Sequence, residues 1–297
     1  MHVLGVDIGG TKIAAGMVDT ATGSVLHVDR VATEASLGGV AVLERAVLLA
    51  QRVRQVSGVV PERIGIGAGG QIDPIAGDVV HATELLPGWT GQPLAATFSD
   101  VFQIPAYADN DVNALAEGEL RHGAGRGCHS LIFLALGTGV GGAIVVDGKV
   151  VHGARGAGGE LGHLLLYPPD RNLEACANGE AVRRAYQLAL GSRSGLASEE
   201  IAARAEMGDP AAVEAAEIVG RDLGFALVTL AHLLAPEKIV VGGGVLDGFR
   251  ERVLGPAREQ VRLRCLPGVA GTPVVAAELG RDAAVVGAAA VAERALS

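Results

Sequence analysis

The chain is poor in cysteine, carries no block of like charge, and lacks both of the common nucleotide-binding signatures. Its three cysteines, Cys128, Cys176 and Cys265, are far apart and odd in number among 297 residues. That argues against a disulfide framework and suits a reducing, cytoplasmic compartment. A formal net charge of −9 with no basic run disfavours nucleic acid as a partner. No G-x-x-x-x-G-K-[ST] P-loop occurs, and the glycine turns that do occur lead into apolar strands, which excludes the dinucleotide fingerprint. The sequence enters a strand at once, so no signal peptide is expected. Residues 127–146 are uncharged, but Gly137, Gly139, Gly141 and Gly142 split them into short apolar runs. A buried hairpin is expected there, not a membrane helix.

What the chain has in excess is glycine, 44 residues, about twice the usual share. The informative ones sit in a motif that occurs twice. Leu4-Gly5-Val6-Asp7-Ile8-Gly9-Gly10-Thr11-Lys12-Ile13 reads as strand, turn, strand, and so does Leu134-Ala135-Leu136-Gly137-Thr138-Gly139-Val140-Gly141-Gly142. Asp19 and Asp147 close the two copies at the same offset, 128 residues, that separates Gly9 from Gly137. Matching turns in two halves predict two lobes of related fold, each offering backbone N–H groups to a shared ligand. Only glycine lets the backbone approach an anion so closely or take φ > 0 there, so the ligand expected is a polyphosphate.

Around these turns the pattern predicts strands at 3–8, 12–18, 24–31, 63–68 and 105–108, with helices at 39–56 and 93–102 and a third that Asp109-Asn110-Asp111 opens and that runs to about 122. Strands resume at residue 130. Helices follow at 180–190, 199–206 and 210–234, then a last strand at 238–241 and a small-residue helix at 282–292. Strand blocks with helical crossovers mean an α/β fold.

Ala108-Asp109-Asn110-Asp111-Val112-Asn113 puts carboxylates and amides where a strand meets a helix N-terminus, the end of an open sheet that carries chemistry. Asp and Asn also favour that position as N-caps. Capping accounts for one of them, not for four polar side chains in five positions. A carboxylate beside an amide, near a phosphate turn, is what phosphoryl transfer to a hydroxyl needs: one group holds the acceptor and the other takes its proton.

Five segments, Asp7-Ile8-Gly9-Gly10-Thr11-Lys12, Asp109-Asn110-Asp111-Val112-Asn113-Ala114, Leu136-Gly137-Thr138-Gly139-Val140-Gly141-Gly142, Glu160-Leu161-Gly162-His163 and Val240-Val241-Gly242-Gly243-Gly244-Val245, together resemble the ROK family of sugar kinases and repressors, in the actin/hexokinase/Hsp70 superfamily. The resemblance runs the length of the chain. It implies a two-lobed actin-like ATPase (ribonuclease H-like) α/β fold with a duplicated β-sheet core and an interlobe cleft. The N-terminal lobe would comprise residues 1–118 plus 283–297, with the first phosphate turn and the catalytic Asp, and the C-terminal lobe residues 119–282. By the same resemblance Gly9, Gly10, Thr11 and Lys12 would hold the terminal phosphates of ATP, with Asp7 near Mg2+. Thr138 and Gly139 would hold phosphate from the other lobe, and Gly242, Gly243 and Gly244 would border adenosine. Asp111 would be the general base toward the 6-hydroxyl of a hexose. Gly70, Asn110, Glu160, His163 and Glu174 would complete the substrate site. A homodimer without nucleic-acid or membrane partners is implied as well. Taken singly, Glu160 reads equally as a solvated carboxylate, His163 as a structural histidine, and the three glycines as a strand end.

One departure stands out. Family members usually carry a zinc loop of the form C-x-C-G-x-x-G-C before Leu-Glu. Here the loop is shortened, Asn172 stands in place of its last cysteine before Leu173-Glu174, and Cys176 is out of register. His163 and one thiol cannot make a tetrahedral site, so no structural zinc is expected, and the loop would be held by Leu164 to Leu166 and the Pro168-Pro169 pair. Glucose is the default substrate; the altered loop keeps glucosamine, kanosamine, N-acetylmannosamine, mannose and fructose open, and polyphosphate remains open as donor. A repressor would need a winged helix-turn-helix ahead of the turn at residue 9. A non-catalytic sugar sensor is disfavoured by Asp111 and the two phosphate turns.

Overall fold

In the computed structural model, which describes residues 1–83, 86–166 and 171–294, the chain forms two compact units. One comprises residues 1–127, 150–158 and the chain from Glu278 onward, and the other residues 128–149 and 159–277.

The N-terminal unit is built on β1 (His2–Ile8), β2 (Lys12–Asp19) and β3 (Ser24–Ala32), then α1 (Gly39–Ser57) and β4 (Arg63–Ala68). The short pair β5 (Gln71–Ile72) and β6 (Val79–His81) follows, then α2 (Leu94–Phe102), β7 (Ala106–Asn110) and α3 (Asp111–His122). The sheet order is β3-β2-β1-β4-β7, with β1–β2 and β2–β3 antiparallel and β1–β4 and β4–β7 parallel. Helix α1 buries Val42, Leu43, Ala46, Leu49, Ala50 and Val53, the three-and-four spacing of an amphipathic helix. Its Leu43, Ala46 and Leu49 join Leu4, Val6 and Ile66 of the sheet in one core.

The other face of that sheet is covered by the chain's last helix, α9 (Ala283–Arg294). It lies so close that a Cβ on Gly5 would fall 2.1 Å from the Val285 carbonyl oxygen, and one on Gly65 1.8 Å from that of Ala288. Glycine inside these strands, which costs packing and entropy, is thus required by helix-backbone approach. Glu119 of α3, buried, accepts the N–H groups of Ala124 at 2.7 Å and of Glu278 and Leu279 at 3.0 Å. One carboxylate holds the segments just before and just after the C-terminal unit.

That C-terminal unit repeats the plan. Its strands are β8 (Leu131–Leu136), β9 (Val140–Val146), the two-residue β10 (Lys149–Val150), and the small pair β11 (Leu165–Leu166) and β12 (Arg171–Asn172). Helices α4 (Leu173–Ala177), α5 (Gly179–Leu190), α6 (Ser198–Glu206) and α7 (Pro210–Leu234) come next, then β13 (Lys238–Gly242), α8 (Gly244–Arg264) and β14 (Val274–Ala276). The sheet order β10-β9-β8-β13-β14 matches the first sheet, and β8 is antiparallel to β9 and parallel to β13. Both sheets have the ribonuclease H-like arrangement of the actin-like ATPase fold.

Beyond the short elements β5, β6, β11, β12 and α4, a strand and a helix correct the sequence expectation. The last strand is β14, not 238–241, and it extends the sheet beside β13 in parallel register. Helix α8 was not expected because Gly248, Gly255 and Pro256 interrupt its pattern. It is kinked at Arg250 (φ 20°) and survives because Val253, Leu254, Ala257 and Val261 are buried. Gly220 and Gly224 of α7 admit its backbone at Val253 and Ala257.

Candidate active site

In the N-terminal unit, β1 delivers Asp7 to the mouth of the first glycine turn. Gly9 donates its N–H to the Lys12 carbonyl at 3.1 Å, and Gly10, Thr11 and Lys12 are exposed. The turn is pinned from behind by the buried Thr33, whose hydroxyl donates to the Gly9 carbonyl at 2.6 Å and whose N–H donates to the Thr11 carbonyl at 3.0 Å. Thr33 carried no sequence signal, since it lies well outside the motif.

Strand β7 runs into α3 at Asn110, which caps that helix by accepting the N–H groups of Val112 at 2.9 Å and Asn113 at 3.2 Å. Its amide also donates to the Gly70 carbonyl at 3.0 Å. The capping role is therefore real, and the same side chain fixes Gly70 (φ 104°). The only tryptophan, Trp89, is buried and donates to the Gly69 carbonyl at 3.0 Å.

Asp111 opens α3, and its Oδ1 accepts the Val112 N–H at 2.9 Å. In register, Asp7 pairs with Gly67 of β4. A Cβ on Gly67 would lie 3.7 Å from the Asp111 Cα and 3.8 Å from the Asp7 Oδ1, so a bare glycine separates the two acids. Burial, reinforced by the negative charge of Asp111 and opposed by Lys12, pushes the Asp7 carboxyl up to about 7. Two carboxylates in one partly dehydrated place resist joint ionisation.

Asp109 points into the protein instead. It is 1% exposed and accepts from the Asn110 N–H at 2.7 Å, Asn113 Nδ2 at 2.9 Å, His152 Nε2 at 2.7 Å and the Arg294 guanidinium. Burial works to raise its carboxyl, but the hydrogen bond from His152 and the charge of Arg294 outweigh it and hold the group below the ordinary range. Glu117, a further turn along α3, is equally buried, with Arg121 at 3.5 Å and Arg294 at 3.9 Å. There burial wins, and the carboxyl is raised. Neither His152 nor Arg294 was singled out from sequence; the signal available was that a buried Asp109 must have cationic or N–H partners.

In the C-terminal unit the second turn repeats the first. The Gly137 N–H donates to the Gly139 carbonyl at 2.9 Å, and Asn178, capping α5, reaches the Thr138 carbonyl at 3.2 Å. Glu174 accepts the Val140 N–H at 3.0 Å. Glu160 is the N-cap of the short 3-10 turn Leu161–His163 and His163 its last residue, and both are exposed. Gly242 ends β13, Gly243 (φ 96°) is the N-cap of α8 and Gly244 its first residue. A Cβ on Gly243 would fall 2.5 Å from the Leu136 carbonyl, so this glycine is required whatever else the loop does.

In the segment that replaces the family's zinc loop, Asn172 caps α4 by accepting the Ala175 N–H at 2.8 Å, and Arg171 pairs with Asp222 at 2.9 Å. Cys176 is buried, and burial raises its thiol. Pro168 and Pro169 lie outside the described residues. Among the described residues no group of three or more His, Cys, Asp or Glu is placed to hold a metal, and no helix is long and apolar enough to cross a membrane.

The chain is similar to known proteins along most of its length. The chain is 33% identical to the glucokinase of Halalkalibacterium halodurans over 309 residues, covering 96% of this chain and 92% of the relative. It is 34% identical to the glucokinase of Streptomyces coelicolor, with 96% of each covered. The crystal structure of a ROK family glucokinase from Streptomyces griseus in complex with glucose and AMPPNP superposes with a TM-score of 0.83 at 33% identity, over 99% of this chain and 100% of that one. The model of the ROK family matches residues 3–295, and the chain belongs to that family.

Proposed function

We propose that the protein is an ATP-dependent hexose kinase that phosphorylates the 6-hydroxyl of glucose or a close relative. The observation that carries the reading is the pairing of Asp111, at the first turn of α3, with Asp7 at the mouth of an exposed glycine turn. Asp111 would take the proton of the attacking hydroxyl. Its place at a helix N-terminus, where the dipole favours negative charge, suits a group that must be ionised beforehand. Asn110 has one amide hydrogen left after Gly70 and would orient a neighbouring sugar hydroxyl. Glu160, His163 and Glu174 would supply acceptors and donors of the kind that a polyhydroxylated ring demands.

The residues present fit a magnesium–nucleotide complex. A Cβ on Gly10 would meet nothing within 4 Å, so the turn has open space for phosphate oxygens against its backbone. Asp7, whose carboxyl burial and Asp111 push up to about 7, is a group whose charged form a nearby cation would favour. Gly9, Gly10, Thr11 and Lys12 would hold terminal phosphates, Thr138 and Gly139 further phosphate, and Gly242, Gly243 and Gly244 the adenosine side. The bound nucleotide supplies the phosphoryl group and the metal neutralises its charge. We extend the reading to a cytoplasmic homodimer.

The decisive assay is ADP release coupled to a panel of glucose, mannose, fructose, glucosamine, kanosamine and N-acetylmannosamine, repeated with polyphosphate as donor. Turnover with one hexose and ATP supports the proposal. Sugar binding without turnover on any of them points to the non-catalytic sensor.

A further inference from the structure

We propose that His152 and Arg294 are positioning residues for phosphoryl transfer, acting through Asp109 on the Asn110–Asp111 corner. The inference rests on the kinase reading above. His152 comes from the nine-residue segment 150–158, which leaves the C-terminal unit's chain to pack with the N-terminal unit. Arg294 is at the end of the last helix. Segments remote in sequence thus converge on one buried oxygen, Asp109 Oδ2, with His152 Nε2 at 2.7 Å and the Arg294 guanidinium beside it.

The geometry fixes the tautomer. A nitrogen 2.7 Å from a carboxylate oxygen must carry the proton between them, so His152 Nε2 is a donor. The 3.2 Å approach of Arg294 to the same nitrogen is then a contact between two donors that share one acceptor. The other carboxylate oxygen, Oδ1, accepts the Asn110 N–H and Asn113 Nδ2. One oxygen of Asp109 therefore faces its two cationic or N–H partners while the other grips the backbone of the residue that precedes Asp111. Asp109 is 1% exposed, so water cannot replace a lost partner at low cost.

The segment that brings His152 is itself held. The Gly158 N–H donates to the His152 carbonyl at 2.8 Å, and Gln71 Nε2 donates to the Arg155 carbonyl. A Cβ on Gly156 would stand 2.9 Å from the Ile72 carbonyl. Gln71 and Ile72 directly follow Gly70, the carbonyl partner of Asn110. The segment 150–158 thus touches the Asn110 corner twice, through Asp109 and through the strand after Gly70.

The test compares His152→Ala with His152→Gln, whose amide can still donate to Asp109. His152→Ala is expected to lower kcat about tenfold or more, as misplacing a reacting group does, while KM for ATP stays within about twofold. His152→Gln is expected to restore most of that loss. Amide shifts of Asn110, Asp111 and Val112, read by NMR without any substrate, should move in the alanine variant and return in the glutamine variant. The shifts keep this inference testable even if the wild-type protein proves inactive, a result that would remove the kinase reading alone. Unmoved shifts in His152→Ala overturn the positioning role. So does a kcat loss equal in both variants and matched by an equal fall in Tm, which would mark His152 as a structural residue only.

Discussion

Glu174 and Gly139 are packed so closely that a Cβ on the glycine would lie 2.5 Å from the Glu174 Oε2, the oxygen that also accepts the Val140 N–H. The carboxylate proposed for the sugar is thereby tied to the turn proposed for the phosphates. Gly139→Ala would push aside the end of a flexible side chain without disturbing backbone, so the fold should persist. We expect Tm to change little while KM for sugar and for ATP both rise, by about tenfold for loss of one charge-assisted hydrogen bond. Steady-state kinetics with both substrates varied checks this. A rise in one KM alone would show that the two sites are not linked through Glu174.

Asp111→Asn should fold and bind sugar, because its amide oxygen can still accept the Val112 N–H. It cannot accept a proton. The expected loss in kcat is about 10²-fold or more, with sugar affinity preserved. Quenching of the single tryptophan, Trp89, whose indole donates to the Gly69 carbonyl beside Gly70, offers a direct reading of that affinity. A variant with near-normal kcat would exclude Asp111 as the base.

Asp7 makes stability depend on pH in a stated direction. Its carboxyl is raised from the ordinary 3.8 to about 7 in the fold. A group raised in this way favours the folded state fully below its unfolded value, and that contribution is lost as pH rises through the folded one. The loss therefore falls between about pH 4 and 7. Asp7→Asn, with no proton to release, should lose less Tm than the wild-type protein between pH 5 and pH 8 in the absence of nucleotide. Parallel Tm–pH curves for the two would show that Asp7 ionises normally.

Much of the fold was legible because glycine turns and apolar strands have local signatures. The 128-residue repeat of Gly9 at Gly137 maps onto two sheets of matching strand order, β1 with β8 and β4 with β13. Local signals failed where tertiary packing decides. Helix α8 is stabilised by α7 despite Gly248, Gly255 and Pro256, and no periodicity in its own sequence could report that. In the site, motif residues could be read, but their supports could not. Thr33 behind the first turn, His152 and Arg294 behind Asp109, and Glu119 beside Glu278 all act across long sequence separations through a few hydrogen bonds. The buried polar side chains Asp109 and Glu119 needed partners, and sequence alone could not say which.

The shortened loop before α4 gives the last prediction, that the purified protein holds no stoichiometric zinc and that its Tm is unaffected by a chelator. A structural zinc needs about four N or S ligands, and the segment around residue 172 is tied by other means. Leu165 pairs with Asn172 and Leu166 with Arg171 across β11 and β12, the Leu173 N–H donates to the Leu164 carbonyl at 2.9 Å, and Arg171 reaches Asp222. Asn172, standing where the last cysteine would be, caps the helix that carries Glu174. Removing that cap by Asn172→Ala should cost about 1 kcal/mol and should raise KM for sugar through Glu174, two effects that in a zinc-bearing loop would be expected of a chelator. Elemental analysis after dialysis, together with urea unfolding of both proteins, checks both halves. About one zinc per chain, or a wild-type protein that a chelator unfolds, would mean that ligands other than these anchor the loop.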